Sequence, residues 1–228
     1  MADPTFQRAR SSAAKDARVE AIFRSAREQA TARSVREVTL TDIAAGVGMH
    51  KSTMLRYFET REEIFLRLAA QEWVDWSEAA VRALVEPNQR DGPDRPAAES
   101  VAQALAASLV ARPLFCDLLA NAPLSLERGV SMGAVKDFKL VALSSARAVA
   151  EALRSILPLD HDGARNVVAT ATGMAGALWQ MAAPGTQLRR LYETDPELGH
   201  AIVDVGPRLA AILEALVHGS AATRSPTG

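Results

Sequence analysis

The chain has 228 residues, of which 48% are hydrophobic, and its 26 Lys and Arg against 27 Asp and Glu leave a formal net charge of −1. This length can bury one sizeable core, or a small domain beside a larger one, and the composition is that of an ordinary soluble protein. The single cysteine, Cys116, excludes an internal disulfide framework and is compatible with a reducing cytoplasm.

Two segments precede the first motif. Residues 1–14 contain Pro4, small polar residues and arginines without apolar periodicity, which predicts a flexible basic arm. No apolar run follows the charges at the N-terminus, so no secretory signal is expected and a cytoplasmic location is the default. Residues 16–32 carry apolar side chains at helical spacing and predict a first helix; these are Val19, Ile22, Phe23 and Ala26.

Residues 39–58, TLTDIAAGVGMHKSTMLRYF, have the sequence features of two short helices separated by a turn that contains glycine. Thr39 can cap the first helix, with Asp42 as the acidic partner of a capping box. Gly48 breaks that helix, and a second helix is predicted over about 50–58, where basic and aromatic residues cluster. The pattern predicts a helix-turn-helix whose second helix could enter a major groove of DNA.

A long connector and further helices follow. Thr60 and Glu63 form a second capping box, and the helix that they start runs for about 25 residues, to just before Pro87. Residues 86–96, rich in Pro and Gly, predict an exposed loop. Further helical patterns, separated by prolines, cover 97–111, 113–121, 131–157, 162–183 and 197–217. With no convincing strand, the prediction is an all-α fold of about nine helices.

The motif resembles the DNA-binding region of tetracycline-repressor (TetR) family regulators over residues 16–68. The residues that carry this resemblance are, in order, Thr39, Asp42-Ile43-Ala44, Gly48, Lys51, Thr53, Tyr57-Phe58 and Thr60-Arg61-Glu62-Glu63-Ile64-Phe65. Three positions depart from the family pattern: His50 stands where Ser is frequent, Ser52 where Gly is frequent, and Leu55 where a phosphate-contacting Tyr is usual. The family's base preferences therefore cannot be transferred to this chain.

The resemblance implies a domain plan and a function. It implies a helix-turn-helix DNA-binding domain over 15–68, a larger helical ligand-binding and dimerisation domain over 69–219, and a flexible tail over 220–228. It further implies a transcriptional regulator, chiefly a ligand-responsive repressor, that binds a palindromic double-stranded DNA operator as a homodimer. Activators share this plan, so the sign of regulation stays open.

Charge agrees with this plan. Residues 1–67 hold 12 Lys and Arg against 9 Asp and Glu, or +3, which leaves 14 against 18, or −4, for the remainder. Solvated helix faces commonly produce such imbalances, so the excess corroborates the motif and does not stand alone.

The candidate DNA contacts come from the motif. Lys51 and Arg61 occupy positions that resemble the family's phosphate contacts, at helix N-termini that already favour anions. The other candidates for base or sugar–phosphate contact are Thr39, Thr41, His50, Ser52, Thr53, Arg56 and Tyr57. The ordinary interpretation of an isolated basic residue is a solvated helix face, and only the motif context favours DNA here.

The resemblance also implies a dimer made by the last two large helices of each subunit, matched here by 162–183 and 197–217. The candidate interface residues are Val168, Thr172, Gly176, Ile202, Val205, Leu209, Ile212, Leu213 and Leu216. Gly173 and Ala177 could also allow close backbone approach. The alternative is that these apolar stripes form an intramolecular core.

An effector cavity is expected in the larger domain. The large side chains that could line it are Trp73, Trp76, Phe115, Leu119, Met132, Phe138, Met174 and Trp179. Ordinary packing is the alternative for most of them. The expected effector is a small, partly apolar molecule whose identity the sequence does not give.

Other classes of function receive little support. The four histidines show no metal-ligand spacing, so neither a metal nor another cofactor is expected. Residues 166–188 lack charge, but their apolar part is short and diluted by polar residues, so no membrane span is expected. No phosphate-binding glycine loop, nucleophile elbow or His–carboxylate pair indicates an enzyme. Two alternatives to the regulator stay open: a helical protein-interaction module with a non-functional helix-turn-helix, and an enzyme of unknown type.

Overall fold

The computed structural model describes residues 4–85, 97–182, 184–199 and 202–222. Within these ranges the chain forms ten α-helices and no strand, which confirms the predicted all-α fold. The helices are α1 (Pro4–Ala32), α2 (Leu40–Gly46), α3 (Lys51–Met54), α4 (Arg61–Val85), α5 (Ala97–Val110), α6 (Pro113–Asn121), α7 (Met132–Ile156), α8 (His161–Ala182), α9 (Gln187–Thr194) and α10 (Val205–Ala222); a π-helical turn (Ala122–Leu126) extends α6.

The capping box predicted for α2 is present. The Thr39 hydroxyl accepts a hydrogen bond from the Asp42 N–H at 3.2 Å, and the Asp42 carboxylate accepts one from the Thr39 N–H at 2.8 Å. The bond from the Thr39 N–H holds the pKa of Asp42 below its ordinary value of 3.8. Gly48 ends the turn with a φ of +63°, a left-handed conformation that glycine adopts without steric cost.

Helix α1 lies directly against α2. The Ser25 hydroxyl donates to the Ile43 carbonyl at 3.1 Å, and the Gln29 amide donates to the Asp42 carbonyl at 2.9 Å. A Cβ atom on Gly46 would lie 2.2 Å from the Ser25 hydroxyl, so the close approach of the two helices requires glycine there. These two hydrogen bonds, and the absence of a side chain at Gly46, thus fix the orientation of the helix-turn-helix against α1.

Helix α4 connects this small domain to the larger one. Its apolar side is buried along its length and packs on α7 and α5. Trp73 and Trp76 form an aromatic cluster with Phe115 of α6, with ring centroids 5.4 to 5.7 Å apart. The Trp76 N–H donates to the Ser108 hydroxyl at 3.0 Å, so its polar atom is satisfied inside the core.

The larger domain is a bundle around α8. Helix α8 packs on α6, α7 and α10, and α10 also packs on α5. Gly176 of α8 faces the backbone of α6, where a Cβ atom would lie 2.8 Å from the Ala120 nitrogen. Glycine at this position lets the two helices approach closely, and this contact is internal to the chain.

Near the N-terminus the structure differs from the sequence prediction. Helix α1 begins at Pro4, so the backbone of residues 4–14, predicted as a flexible arm, is helical. Proline fits the first turn of a helix, and the Arg, Gln and Ala residues that follow are good helix formers even without an apolar stripe. Residues 1–3 of the predicted arm and the loop predicted at 86–96 lie outside the described residues.

The last helix has different bounds from those that the sequence predicts. A single helix was expected over 197–217, but α10 begins at Val205, because Pro207 lacks an N–H and is best accommodated in a first helical turn. A short helix, α9, precedes it, and the Thr186 hydroxyl caps it by accepting from the Arg189 N–H at 3.2 Å. Helix α10 continues to Ala222, into the predicted tail at 220–228, whose last residues, 223–228, lie outside the described part.

Among the described residues, no single helix combines the length and hydrophobicity needed to cross a membrane, although one sharply bent pair, α5 with α6 and its π-helical turn, would pass by length and composition alone.

Candidate nucleic-acid interface and effector cavity

The second helix of the helix-turn-helix is shorter than predicted. Regular α-helix covers only Lys51–Met54, and turns carry the chain on to Phe58, whose N–H still bonds the Met54 carbonyl at 3.2 Å. His50 caps the helix, since its Nδ1 accepts from the Ser52 N–H at 3.4 Å and lies 2.9 Å from the Ser52 hydroxyl. The imidazole therefore performs the capping role that a Ser side chain would perform.

The side chains of this segment divide into an inner and an outer face. Met54 and Phe58 are buried, and Phe58 packs edge-on against Phe23 of α1 at 5.4 Å between ring centroids. Of the predicted DNA contacts, Thr39, Thr41, His50, Lys51, Ser52 and Arg56 are exposed, and Thr53 and Tyr57 are half-buried. No carboxylate partner of Lys51 or Arg56 occurs within the described part of the chain.

Arg61, the other predicted phosphate contact, makes several bonds within the chain. Its guanidinium donates to the backbone carbonyls of Val35 and Val38 and to the Glu62 carboxylate, the last at 2.5 Å. It also lies over the Phe65 ring, 5.1 Å from the centroid, and only 18% of the side chain is exposed. Because two of these bonds go to carbonyls before α2, Arg61 fixes the start of α4 to the loop before α2.

A buried carboxylate provides a second link between the domains. Asp117 of α6 is 5% exposed and accepts hydrogen bonds from the Val35 N–H at 2.6 Å, from the Asn121 amide at 2.9 Å and from the Gln180 amide at 2.8 Å. These donors come from the loop before α2, from α6 itself and from α8. Asp117 therefore joins the small domain to two helices of the larger one.

Glu72 of α4 forms a third link. It is 4% exposed, forms an ion pair with Arg27 of α1, and lies 3.4 Å from Arg112 at the start of α6. Two guanidinium groups from different elements offset the cost of burying this carboxylate. A displacement of α6 would therefore be transmitted to α1 as well as to the loop before α2.

The larger domain has a cavity of about 770 Å³, open to solvent on one side, between α4, α6, α7 and α8. Its inner wall is apolar and includes Trp73, Phe115, Leu118 and Phe138. Cavities of this size and character are typical of small-molecule sites. Because α4 and α6 form part of its wall, its occupant would contact the two helices that bear the interdomain links.

The predicted pocket residues are only partly on this wall. Trp73, Phe115, Leu119 and Phe138 line the cavity, whereas Trp76 packs behind the lining. Met132 is wrong as a pocket residue because it is 74% exposed at the start of α7, and the half-buried Met174 and Trp179 lie outside the lining. The sequence did not predict that small and charged residues of α7 line the cavity. The only pattern that indicated it was the four-residue spacing of Ala142, Ala146 and Ala150.

The predicted dimer-interface residues fall into a buried group and a partly exposed group. Val168, Thr172, Gly176, Val205, Leu209 and Leu213 are buried within the single chain, so they have no surface left to offer a partner. Ile202 is 37% exposed, and Ile212 and Leu216 are half-buried. Helical periodicity identified the apolar faces, but it could not distinguish the face that packs inward from the face that stays exposed.

Cys116 and the acidic and histidine residues offer no reactive or metal centre among the described residues. Burial, together with the neighbouring Asp117 charge, raises the pKa of the Cys116 thiol to about 12, and the thiol donates to the Leu109 carbonyl at 3.3 Å. A buried thiol with a raised pKa is a poor nucleophile. Within the described ranges, no group of three or more His, Cys, Asp or Glu residues could hold a metal ion.

Comparison with known families covers almost the whole chain. Residues 22–68 match the family model described as bacterial regulatory proteins, tetR family. Residues 70–224 match the model described as tetracyclin repressor-like, C-terminal domain. The boundary between the two matches falls within α4, near the predicted domain boundary. No curated protein matches the chain at a significant level.

Proposed function

Because the chain belongs to the TetR family of bacterial regulatory proteins, and is thus a DNA-binding transcriptional regulator, we propose that it is a homodimeric, effector-responsive repressor of a palindromic operator. Regulators of this family are generally non-enzymatic DNA-binding proteins. The observation that carries the proposal is the exposed face of the segment from α3 to the turn after it, where Lys51 and Ser52 of α3 and Arg56 of the turn are exposed.

Each exposed group on this face has a defined role. Lys51 is the first residue of α3 and is exposed, so its ammonium group can bind a DNA phosphate. Ser52 and Arg56 lie on the same exposed surface and can reach base edges or further phosphates. For Arg61 the proposed role is to orient the domain that presents these contacts, since its guanidinium binds backbone carbonyls within the chain.

The dimer face that we propose lies on the exposed sides of α8 and α10. On α8 these are Ala177 and Met181, four residues apart, with Met181 58% exposed; Ala169 and Gly173, earlier in the same helix, line the cavity instead. On α10 the corresponding exposed residues are Ala211, Ala215 and Gly219. Since α8 and α10 pack side by side, these small residues allow a second copy to approach both helices closely.

Regulation would act through the links between the domains. An effector in the cavity contacts Trp73 of α4 and Phe115 of α6, and these helices bear Arg61 and Asp117, which bind the loop before α2. A shift of either helix changes the position of the recognition helix, and with it the separation of the two recognition helices in a dimer. The expected coupling between effector and operator is about 1–3 kcal/mol.

The test is selection from random DNA duplexes with the purified full-length protein. The proposal predicts enrichment of an inverted repeat whose half-sites are spaced for recognition helices about 34–36 Å apart, or wider if two dimers share one site. Enrichment of a site without two-fold symmetry contradicts the homodimer. No enrichment at all supports a protein-interaction module whose helix-turn-helix does not bind DNA.

A further inference from the structure

Helix α7 presents two adjacent rows of side chains to the cavity. The inner row is apolar and consists of Phe138, Ala142, Ala146 and Ala150, spaced four residues apart. The outer row, at the cavity rim, is polar at three of its four positions and consists of Lys139, Leu143, Arg147 and Glu151. One helix thus supplies both an apolar wall for a ligand's body and a charged rim for a polar group.

Most of the rim charges already have partners. Lys139 lies 2.7 Å from the Glu127 carboxylate, and its ammonium also lies over the Phe138 ring. Glu151 lies 2.9 Å from the Arg154 guanidinium and 3.5 Å from the His161 ring. The charges of Lys139 and Glu151, which lie at the two ends of the rim, are therefore largely balanced by their partners.

Arg147 is different from the other charged groups of the rim. It lies between the two ends, is exposed to the cavity, and has no carboxylate partner among the described residues. On the facing helix α8, the lining includes the amide of Asn166 and the guanidinium of Arg165, the latter 3.2 Å from Asp162. A guanidinium without a carboxylate partner and an amide in the lining of one cavity are both groups that can bind a carboxylate.

We propose that the cavity binds an amphipathic carboxylate, with its apolar, aromatic body against Trp73, Phe115 and Phe138 and its carboxylate on Arg147. This proposal rests on the proposed function, because it names the chemical class of the effector of that regulator. Phe138 and Arg147 both line the cavity, and its volume of about 770 Å³ has room for a two-ring aromatic acid.

The experiment uses two probes of matched shape: a charged biphenyl carboxylate and the neutral biphenyl carboxamide. Binding to the full-length protein is followed by calorimetry and by quenching of tryptophan fluorescence, since Trp73 lines the cavity. The carboxylate should bind at least tenfold more tightly than the carboxamide, because a hydrogen-bonded ion pair replaces a neutral contact. Equal binding of the two probes, or binding of neither, would overturn the proposal.

Two variants identify the residue responsible. Arg147→Gln should weaken carboxylate binding about tenfold or more and leave carboxamide binding unchanged. Lys136→Gln is the matched control, because Lys136 is an exposed cation of α7 outside the cavity lining, and it should leave both affinities unchanged. Arg147 is itself exposed, so its replacement should not unfold the protein. An equal loss in both variants would indicate general electrostatic attraction and would contradict a site at Arg147.

This test needs no DNA, so its failure is separable from failure of the proposed function. A protein that enriches a palindrome but binds neither probe remains a regulator, and only the effector class is overturned. A protein that binds the carboxylate through Arg147 but enriches no DNA retains the binding site and loses the regulatory role.

Discussion

The backbone N–H of Val35 donates a 2.6 Å hydrogen bond to the carboxylate of Asp117, which lies 82 residues further along the chain. The carbonyl of Val35 accepts from Arg61, so both backbone polar groups of this fully buried residue are fixed. Ser34, the preceding residue, has a φ of 146°, a conformation that residues with a side chain rarely adopt. The loop before α2 is thus held in a strained form between α4 and α6.

Replacing Asp117 should destabilise the protein strongly. Asp117→Ala leaves the Val35 N–H and the Asn121 and Gln180 amides without this acceptor, and we expect a loss of about 3–5 kcal/mol in the free energy of unfolding. Urea denaturation measures it. Asp137→Ala, which removes an exposed carboxylate of α7, is the control and should cost about 0.5 kcal/mol or less. Equal effects of the two changes would show that Asp117 is not an interdomain link.

Arg61 should matter for folding more than for phosphate binding. Arg61→Ala removes hydrogen bonds to the Val35 and Val38 carbonyls, and we expect a loss of about 2–3 kcal/mol in the free energy of unfolding. Lysine cannot reach both carbonyls at once, so Arg61→Lys should restore little of it. The check is denaturant unfolding of both variants. Wild-type stability combined with weaker DNA binding in Arg61→Ala would instead support the phosphate contact first expected from the sequence.

Cys116 should make stability decline at high pH. Burial raises the pKa of its thiol from 9.0 to about 12, so above about pH 9 the unfolded chain releases a proton that the folded protein retains. The free energy of unfolding should therefore fall by about 1.4 kcal/mol per pH unit, beginning near the unfolded pKa. Urea denaturation of wild type and Cys116→Ala across this range isolates the effect, because all other titrations are shared. Parallel stability profiles would contradict the assigned shift.

The proposed dimer face can be tested without disturbing the core. Ala177 is exposed on α8, so Ala177→Glu should fold normally but place two buried like charges in the dimer, and we expect monomers in sedimentation equilibrium. Ala148→Glu on the exposed side of α7, outside the cavity lining, is the matched control and should remain dimeric. If both variants stay dimeric, the interface lies elsewhere.

The sequence predicted the helix-turn-helix well because its signals are local. The Thr39–Asp42 capping box and the Gly48 turn each depend on neighbouring residues, and both occur as expected. The role of Arg61 could not be predicted, because it depends on carbonyls 23 and 26 residues away that only the folded chain brings within reach.

The cavity and the proposed dimer face were less predictable for a related reason. Size alone favours Trp76 and Met132 as pocket residues, yet Trp76 packs in the core and Met132 is exposed. The cavity is instead bounded along α7 by alanines, because small residues leave the space that a ligand can occupy. On α8 and α10, the apolar faces pack inward and leave small residues exposed, a distinction that requires knowledge of which helices are neighbours.

The most direct test of the central claim is a titration of the selected duplex against salt concentration with wild type, Lys51→Ala and the control Lys136→Ala. Fluorescence anisotropy gives the affinity and its salt slope. The account predicts that Lys51→Ala weakens binding across salt concentrations and reduces the slope by about one unit per protomer, whereas Lys136→Ala matches wild type. Binding that is insensitive to salt, or unchanged by loss of Lys51, would contradict the assignment of α3 as the DNA-contacting helix.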